Sequence, residues 1–212
     1  MEGIFAVYKP KGMKSHDVIY HVRRITGVKR VGHGGTLDPL AEGVLVIAVG
    51  RENTRLLESY VKGNKEYIAT VFLGANSTTD DAEGDIEIVN KNIKPVVSDI
   101  EEVIKKFIGN IEQIPPIYSS IKIKGKPAHR RVRKGETVVL NSRTVIIKSI
   151  KIDHYEYPLL KLTISCGSGV YIRSLARDIG KELGTGGYLK GLIRTRVGDF
   201  TLEKTLPFSD LK

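Results

Sequence analysis

Apolar positions alternate with polar ones or recur at helical spacing along most of this chain. Ile4 to Tyr8 reads as a strand. Val18, Ile19, Val22 and Ile25 fall on one helical face, so a helix is predicted from Ser15, as its cap, to a stop at Gly27. Val44 to Val49 is a continuous apolar run and predicts a buried strand. Tyr67 to Leu73 alternates, and Ile86 to Val89 is a further short strand. Ser98-Asp99-Ile100-Glu101 has the form of a capping box. It opens a helix with Ile100, Val103, Ile104 and Phe107 on one face, ended by Gly109. Pro115-Pro116 breaks the chain, and Thr144 to Ile152 with Leu159 to Ser165 predicts a strand pair. Ile172, Leu175, Ala176, Ile179 and Leu183 form a helical stripe that stops at Gly184. Clustered strands with a few helices between them predict an α+β fold with a mixed sheet. No internal repeat or low-complexity linker divides the 212 residues, and one domain is expected.

Lysine and arginine number 34 against 24 acidic residues, a formal net charge of +10. That balance favours a polyanionic partner, nucleic acid first. Seven basic residues and no acidic one lie between Lys122 and Lys134: Lys122, Lys124, Lys126, Arg130, Arg131, Arg133 and Lys134. Such a run is ordinarily a solvated face, but on a Gly/Pro-punctuated insertion it is suited to clamping a phosphate backbone. No apolar run reaches membrane-spanning length, and the N-terminus lacks the pattern of a secretion signal. The single cysteine, Cys166, forms no internal disulfide, which fits a reducing cytoplasm.

The segment Val31-Gly32-His33-Gly34-Gly35-Thr36-Leu37-Asp38-Pro39-Leu40-Ala41-Glu42-Gly43-Val44-Leu45 holds one carboxylate, Asp38, in a glycine-rich turn before the apolar strand. Pro39 biases Asp38 away from helix and stiffens the turn. A carboxylate held so can act as a nucleophile or an acid/base. The plainer alternative is that Asp38 caps a turn with Pro39 in its first helical position. Zinc spacing, a phosphate-binding glycine loop and a nucleophile elbow are all missing from the sequence.

This stretch resembles the motif II loop of the bacterial TruB-type tRNA pseudouridine-55 synthases. The resemblance continues through Lys9-Pro10-Lys11-Gly12, Lys65-Glu66-Tyr67, Thr79-Asp80-Asp81-Ala82-Glu83-Gly84-Asp85, Pro115-Pro116-Ile117-Tyr118-Ser119-Ser120-Ile121-Lys122, Tyr171-Ile172-Arg173 and Leu192-Ile193-Arg194-Thr195. It implies a pseudouridine synthase fold: a mixed, mainly antiparallel sheet with flanking helices and a central cleft. It further implies isomerisation of uridine 55 in the T loop of tRNA, with no cofactor and no metal. Asp38 is then the nucleophile and Arg173 its ionic partner. Tyr67 stacks on the flipped base, with a possible part in proton transfer. His33 enters the space the base vacates, Leu192 lines the uracil pocket, and Tyr171 is a further substrate-binding residue. Residues 115–143 match a thumb-like insertion that closes on tRNA. Its His129-Arg130-Arg131-Val132-Arg133 is more basic than the family's usual helix.

A retaining glycosidase needs a second catalytic carboxylate, whereas here the departing uracil is itself the returning nucleophile. Glu42, Glu66, Asp80 and Asp81 are the candidates for such a second group. Residues 1–212 are expected to form the catalytic domain, with 199–212 a short tail where the family carries a PUA domain. The expected partner is the T stem-loop of tRNA, with no membrane and no obligatory protein partner, for a monomer in the cytoplasm. The rival readings are a non-catalytic RNA-binding or tRNA-folding module on the same fold, and a guide-RNA-dependent synthase.

Overall fold

The structure, a computed structural model, describes residues 2–89, 92–119, 121–123, 126–127, 131–132, 136 and 138–211, with 122–123 and 126–127 described through their backbone. The chain forms two compact units, one of Met1–Ala69, Thr163–Ser168 and Gly191–Lys212, the other of Thr70–Leu162 and Gly169–Lys190.

In the first unit, β1 (Gly3–Lys9) pairs antiparallel with β3 (Ala41–Val49), from Gly3 opposite Val49 to Lys9 opposite Gly43. The other edge of β3 changes partner along its length. Its end, Val46–Val49, pairs antiparallel with β2 (Val31–Gly34). Its start, Ala41–Gly43, pairs in parallel with Leu192–Arg194 of β12 (Gly187–Val197). The loop 35–40 leaves the sheet where one neighbour gives way to the other. β14 (Leu206–Pro207) adds to β1 in parallel, and β13 (Phe200–Thr201) folds back on β12, so the sheet is mixed, as predicted.

β3 reads as unbroken apolar sequence because both its faces are covered. Leu45, Ile47 and Val49 pack with Val18, Ile19 and Val22 of α1 (Ser15–Thr26). Val44, Val46 and Ala48 pack with Leu57 of α2 (Arg51–Val61). α1 ends as expected at Gly27, whose φ of 69° is left-handed and whose amide returns to Arg23 O at 3.0 Å. Its start differs from expectation. The Asp17 carboxylate takes the Lys14 amide at 2.9 Å, while Ser15 is inside the helix and its hydroxyl is used elsewhere.

β4 (Lys65–Leu73) carries Tyr67 near its start, in this unit. In the second unit, β5 (Ala75–Ser77) and β6 (Ile86–Ile88) form a hairpin. α3 (Val97–Lys105) is capped two residues earlier than the predicted box, its Val96 amide held by Asp99 Oδ2 at 2.9 Å. β7 (Gly109–Gln113) pairs antiparallel with β10 (Arg143–Glu156). β8 (Lys122–Ile123) and β9 (Lys126–Pro127) make a two-residue hairpin. β11 (Leu159–Cys166) neighbours β10. Ile100, Val103 and Ile104 of α3 and Leu175, Ala176 and Ile179 of α4 (Ile172–Glu182) are buried, matching the stripes read from sequence.

Candidate active site

Asp38 is half-buried on the loop between β2 and β3. No helix follows it: its carbonyl accepts the Ala41 amide at 3.0 Å in a tight turn, and β3 starts at once. The helical reading of Pro39 is therefore corrected. A proline here stiffens a turn that feeds directly into a strand. The loop is clamped from the segment after β1. The Gly12 amide donates to Pro39 O at 2.7 Å. The buried Ser15 hydroxyl donates to Leu37 O and accepts from Leu37 N, both at 2.9 Å. Lys9, fully buried, donates to Pro10 O and Met13 O at 3.0 and 2.6 Å, shaping the turn that supplies these clamps.

Tyr67 is buried in the same unit. Burial holds its hydroxyl above the ordinary phenol range, opposed by the Arg194 charge and by a hydrogen bond from Arg194. The negative charge of Asp38 also reaches this hydroxyl and favours its protonated form. Arg194 is a site residue that the sequence alone does not single out, because an arginine is ordinarily expected at the surface. It is fully buried, donating from Nε to Val44 O at 2.8 Å and from Nη2 to Gly35 O at 3.0 Å. Burial depresses its pKa and the Tyr67 contact supports its charged form. Lys65, which the sequence sets in a matching block without a role of its own, donates from Nζ to Ser168 Oγ at 2.8 Å and to Val61 O at 3.2 Å. Burial, then the neighbouring Arg194 charge, lowers its pKa. His33 lies edge-on to His16 with ring centroids 5.9 Å apart. Burial first, then the charges of His16 and Arg194, lowers the pKa of His33 and favours neutral imidazole. Leu192 is half-buried on β12, in register with Ala41 just after the loop. Cys166 is a buried free thiol pushed up to about 12 by burial, an inert packed residue as expected.

In the second unit, Tyr171 precedes α4. Its backbone is held at both groups by the buried Gln113 side chain, at 2.8 and 3.1 Å, and the Arg143 guanidinium lies 4.8 Å from its ring centre. Arg173 is buried on the first turn of α4. It donates to Thr79 O at 3.0 Å and Tyr118 O at 2.9 Å, and its Nη1 is 3.4 Å from the Asp81 carboxylate. The Asp81 carboxylate also takes the Thr79 hydroxyl at 2.5 Å and the Glu83 amide at 3.0 Å. Arg177, one turn on, pairs with Asp80 at 2.8 Å. Burial raises the Asp80 pKa against the charge of Arg177.

The four candidate second carboxylates all hold other partners. Glu42 accepts the Tyr8 hydroxyl at 2.7 Å, Glu66 lies 3.3 Å from Arg196, and Asp80 and Asp81 pair with Arg177 and Arg173. Asp38, Tyr67, His33 and Leu192 belong to the first unit, and Tyr171 and Arg173 to the second. Of the basic insertion, Lys122 and Lys126 sit on the β8–β9 hairpin, and Arg131 pairs with Glu136 at 2.9 Å. Lys124, Arg130 and Arg133 lie outside the described residues.

A family model described as the TruB family pseudouridylate synthase N-terminal domain matches residues 23–172. One described as the tRNA pseudouridylate synthase B C-terminal domain matches residues 173–212. A protein of Trichormus variabilis named tRNA pseudouridine synthase B is 45% identical over 215 residues, covering 100% of this chain and 73% of its own length. One of the same name from Phocaeicola vulgatus is 47% identical over 193 residues, 90% of this chain and 82% of its own. A chain in the crystal structure of a Cbf5-Nop10-Gar1 complex superposes with a TM-score of 0.75 at 30% identity, covering 98% of this chain and 53% of that one.

Proposed function

This chain belongs to the TruB family of pseudouridylate synthases and is an isomerase that makes pseudouridine in tRNA; we propose that its target is uridine 55 of the T loop, with Asp38 as the nucleophile. The observation that carries the reading is the clamped, half-buried carboxylate of Asp38 on a turn beside buried Tyr67.

The reaction breaks the bond from ribose C1′ to N1 and joins C1′ to C5 of the same base. C5 loses a proton and N1 gains one, so the chemistry calls for a nucleophile and a place to turn the base. Asp38 attacks at C1′ or adds at C6, and the rotated uracil returns through C5. The uridine must leave its RNA stack to reach this carboxylate. Tyr67 then offers a ring for the flipped base, with a hydroxyl that stays protonated at neutral pH. His33, held neutral, takes the place the base left. Leu192 is the residue that the family resemblance assigns to the uracil pocket. The family resemblance gives Arg173 the role of keeping the nucleophile ionised, since a neighbouring cation favours a carboxylate's charged form. The Arg173 guanidinium is itself held by Thr79 O, Tyr118 O and the Asp81 carboxylate.

The thumb, residues 115–143, brings the charge of Lys122, Lys124, Lys126, Arg130, Arg131 and Arg133 to the tRNA backbone. The chain is read as one catalytic domain and a cytoplasmic monomer acting on bare tRNA. Its single cysteine is a free, buried thiol, which fits a reducing compartment.

Unmodified tRNA incubated with the protein and mapped by carbodiimide-dependent reverse-transcription stops tests the position. A single new stop reporting pseudouridine at 55 is expected. Modification elsewhere with none at 55 would overturn the assignment.

A further inference from the structure

Tyr171 stands at the N-cap of α4. Serine, threonine, asparagine and aspartate are preferred there, because their side chains accept the free amides of the first turn. A tyrosine offers no such acceptor, and its side chain makes no cap here. The backbone of Tyr171 is held instead by the fully buried Gln113 side chain. Gln113 accepts the Tyr171 amide at 2.8 Å and donates to Tyr171 O at 3.1 Å. The ring is thereby left free of any part in starting the helix.

Arg143 meets that ring. It lies opposite Gln113 in the β7–β10 register, which runs on to Ile147 opposite Gly109. Its guanidinium is over the Tyr171 ring, 4.8 Å from the centroid, and its Nη2 donates to Gly169 O, two residues before the tyrosine. Its buried Nε has no hydrogen-bond partner among the described residues. A cation over a tyrosine is drawn to the negative face of the ring, more strongly as water is excluded. Gln113 thus fixes where Tyr171 starts, and Arg143, its neighbour across the strand pair, fixes how the ring turns. With one face covered, the ring has its other face and its edge for a substrate.

We propose that Arg143 is a positioning residue, which holds the Tyr171 ring from one face in the orientation that receives the substrate. The proposal rests on the reading of Tyr171 as a substrate-binding residue of the isomerisation. Arg143 acts through the ring and touches neither substrate nor reacting atoms. The rival use of an arginine in a chain of formal charge +10 is a direct contact to RNA phosphate.

The test is a double-mutant cycle of Arg143→Met and Tyr171→Leu, with Arg143→Lys beside it, followed by C5-tritium release from T stem-loop RNA. Methionine keeps much of the length and removes the cation. Arg143→Met should lower kcat about tenfold, the order expected of one desolvated cation–ring contact. RNA affinity should stay within about threefold of wild type, with the same salt dependence. Arg143→Lys restores a cation and should be at least about threefold faster than Arg143→Met. Adding Arg143→Met to Tyr171→Leu should slow the enzyme no further, because the ring on which Arg143 acts is already gone. Multiplied losses, or a lysine variant as slow as the methionine one, would overturn the proposal. A loss carried by RNA affinity, with a shallower salt dependence, would overturn it in favour of a phosphate contact. Should Arg143→Met fail to fold, Arg143→Gln takes its place in the cycle. The contact itself is read by NMR: Tyr171→Leu should move the Arg143 Nε–H signal, since the ring current over it is lost, and an unmoved signal would sink the proposal. This arm needs no activity, so an inactive wild type would count against the functional reading while the ring contact is decided separately.

Discussion

The buried Ser15 hydroxyl both donates to and accepts from the backbone of Leu37, at 2.9 Å each way, immediately before Asp38. One side chain thereby satisfies two peptide groups of a loop that has no strand partner of its own there. Ser15→Ala leaves both groups unpaired in a buried place. It should cost about 1–3 kcal/mol in urea unfolding and lower kcat more than it raises KM. Unchanged stability and kcat would show that the clamp does not hold the loop.

Arg173 and Asp81 are an ion pair with both side chains almost wholly buried. Asp81→Asn keeps the shape but removes one carboxylate charge from beside a buried guanidinium. Removing one partner of such a pair costs about 3–5 kcal/mol, so a marked fall in the urea midpoint is expected. A loss well under about 1 kcal/mol would show that the Asp81 charge is not what holds Arg173 in place.

His33 gives a pH dependence with a definite sign. Its folded pKa lies below the ordinary 6.5, through burial, then His16 and Arg194. Between the folded value and 6.5 the unfolded chain binds more protons than the folded one. Stability therefore rises with pH through that window and is lost as pH falls through it. Denaturation of the wild type and His33→Gln across that window should show the wild type gaining on the variant as pH rises. Parallel curves would contradict the assignment.

Gly43 has φ of +103°, and a Cβ there would meet Arg194 backbone at 2.3 Å. Gly43→Ala should destabilise by several kcal/mol, on the order of the larger core lesions, and displace the β3–β12 pairing. A thermal midpoint indistinguishable from wild type would contradict the observed approach.

Elements with a full apolar stripe are legible in the sequence. β3, α1 and α4 bury the residues that their periodicity names. α2 escapes such a reading because it buries one residue, Leu57, and presents little stripe. β12 escapes it because Lys190, Arg194 and Arg196 interrupt its apolar pattern, and one of those charges is buried. The site divides the same way. Asp38 stands out because glycine and proline mark its turn, while Tyr67, Arg173 and Leu192 are carried by the family resemblance. Arg194 and the Ser15 clamp stay hidden, since each acts across more than twenty residues of sequence on backbone groups. Composition does not encode such contacts. Gly43 is the one local signal, a glycine inside a buried strand that marks close approach of another backbone.

The most direct test of Asp38 as nucleophile uses tRNA carrying tritium at uridine C5, with the wild-type protein and Asp38→Asn side by side. C5 surrenders its hydrogen only when the new carbon–carbon bond forms. The wild type should release tritium from uridine 55 while Asp38→Asn binds the same tRNA and releases none. Release by the variant at the wild-type rate would contradict the account.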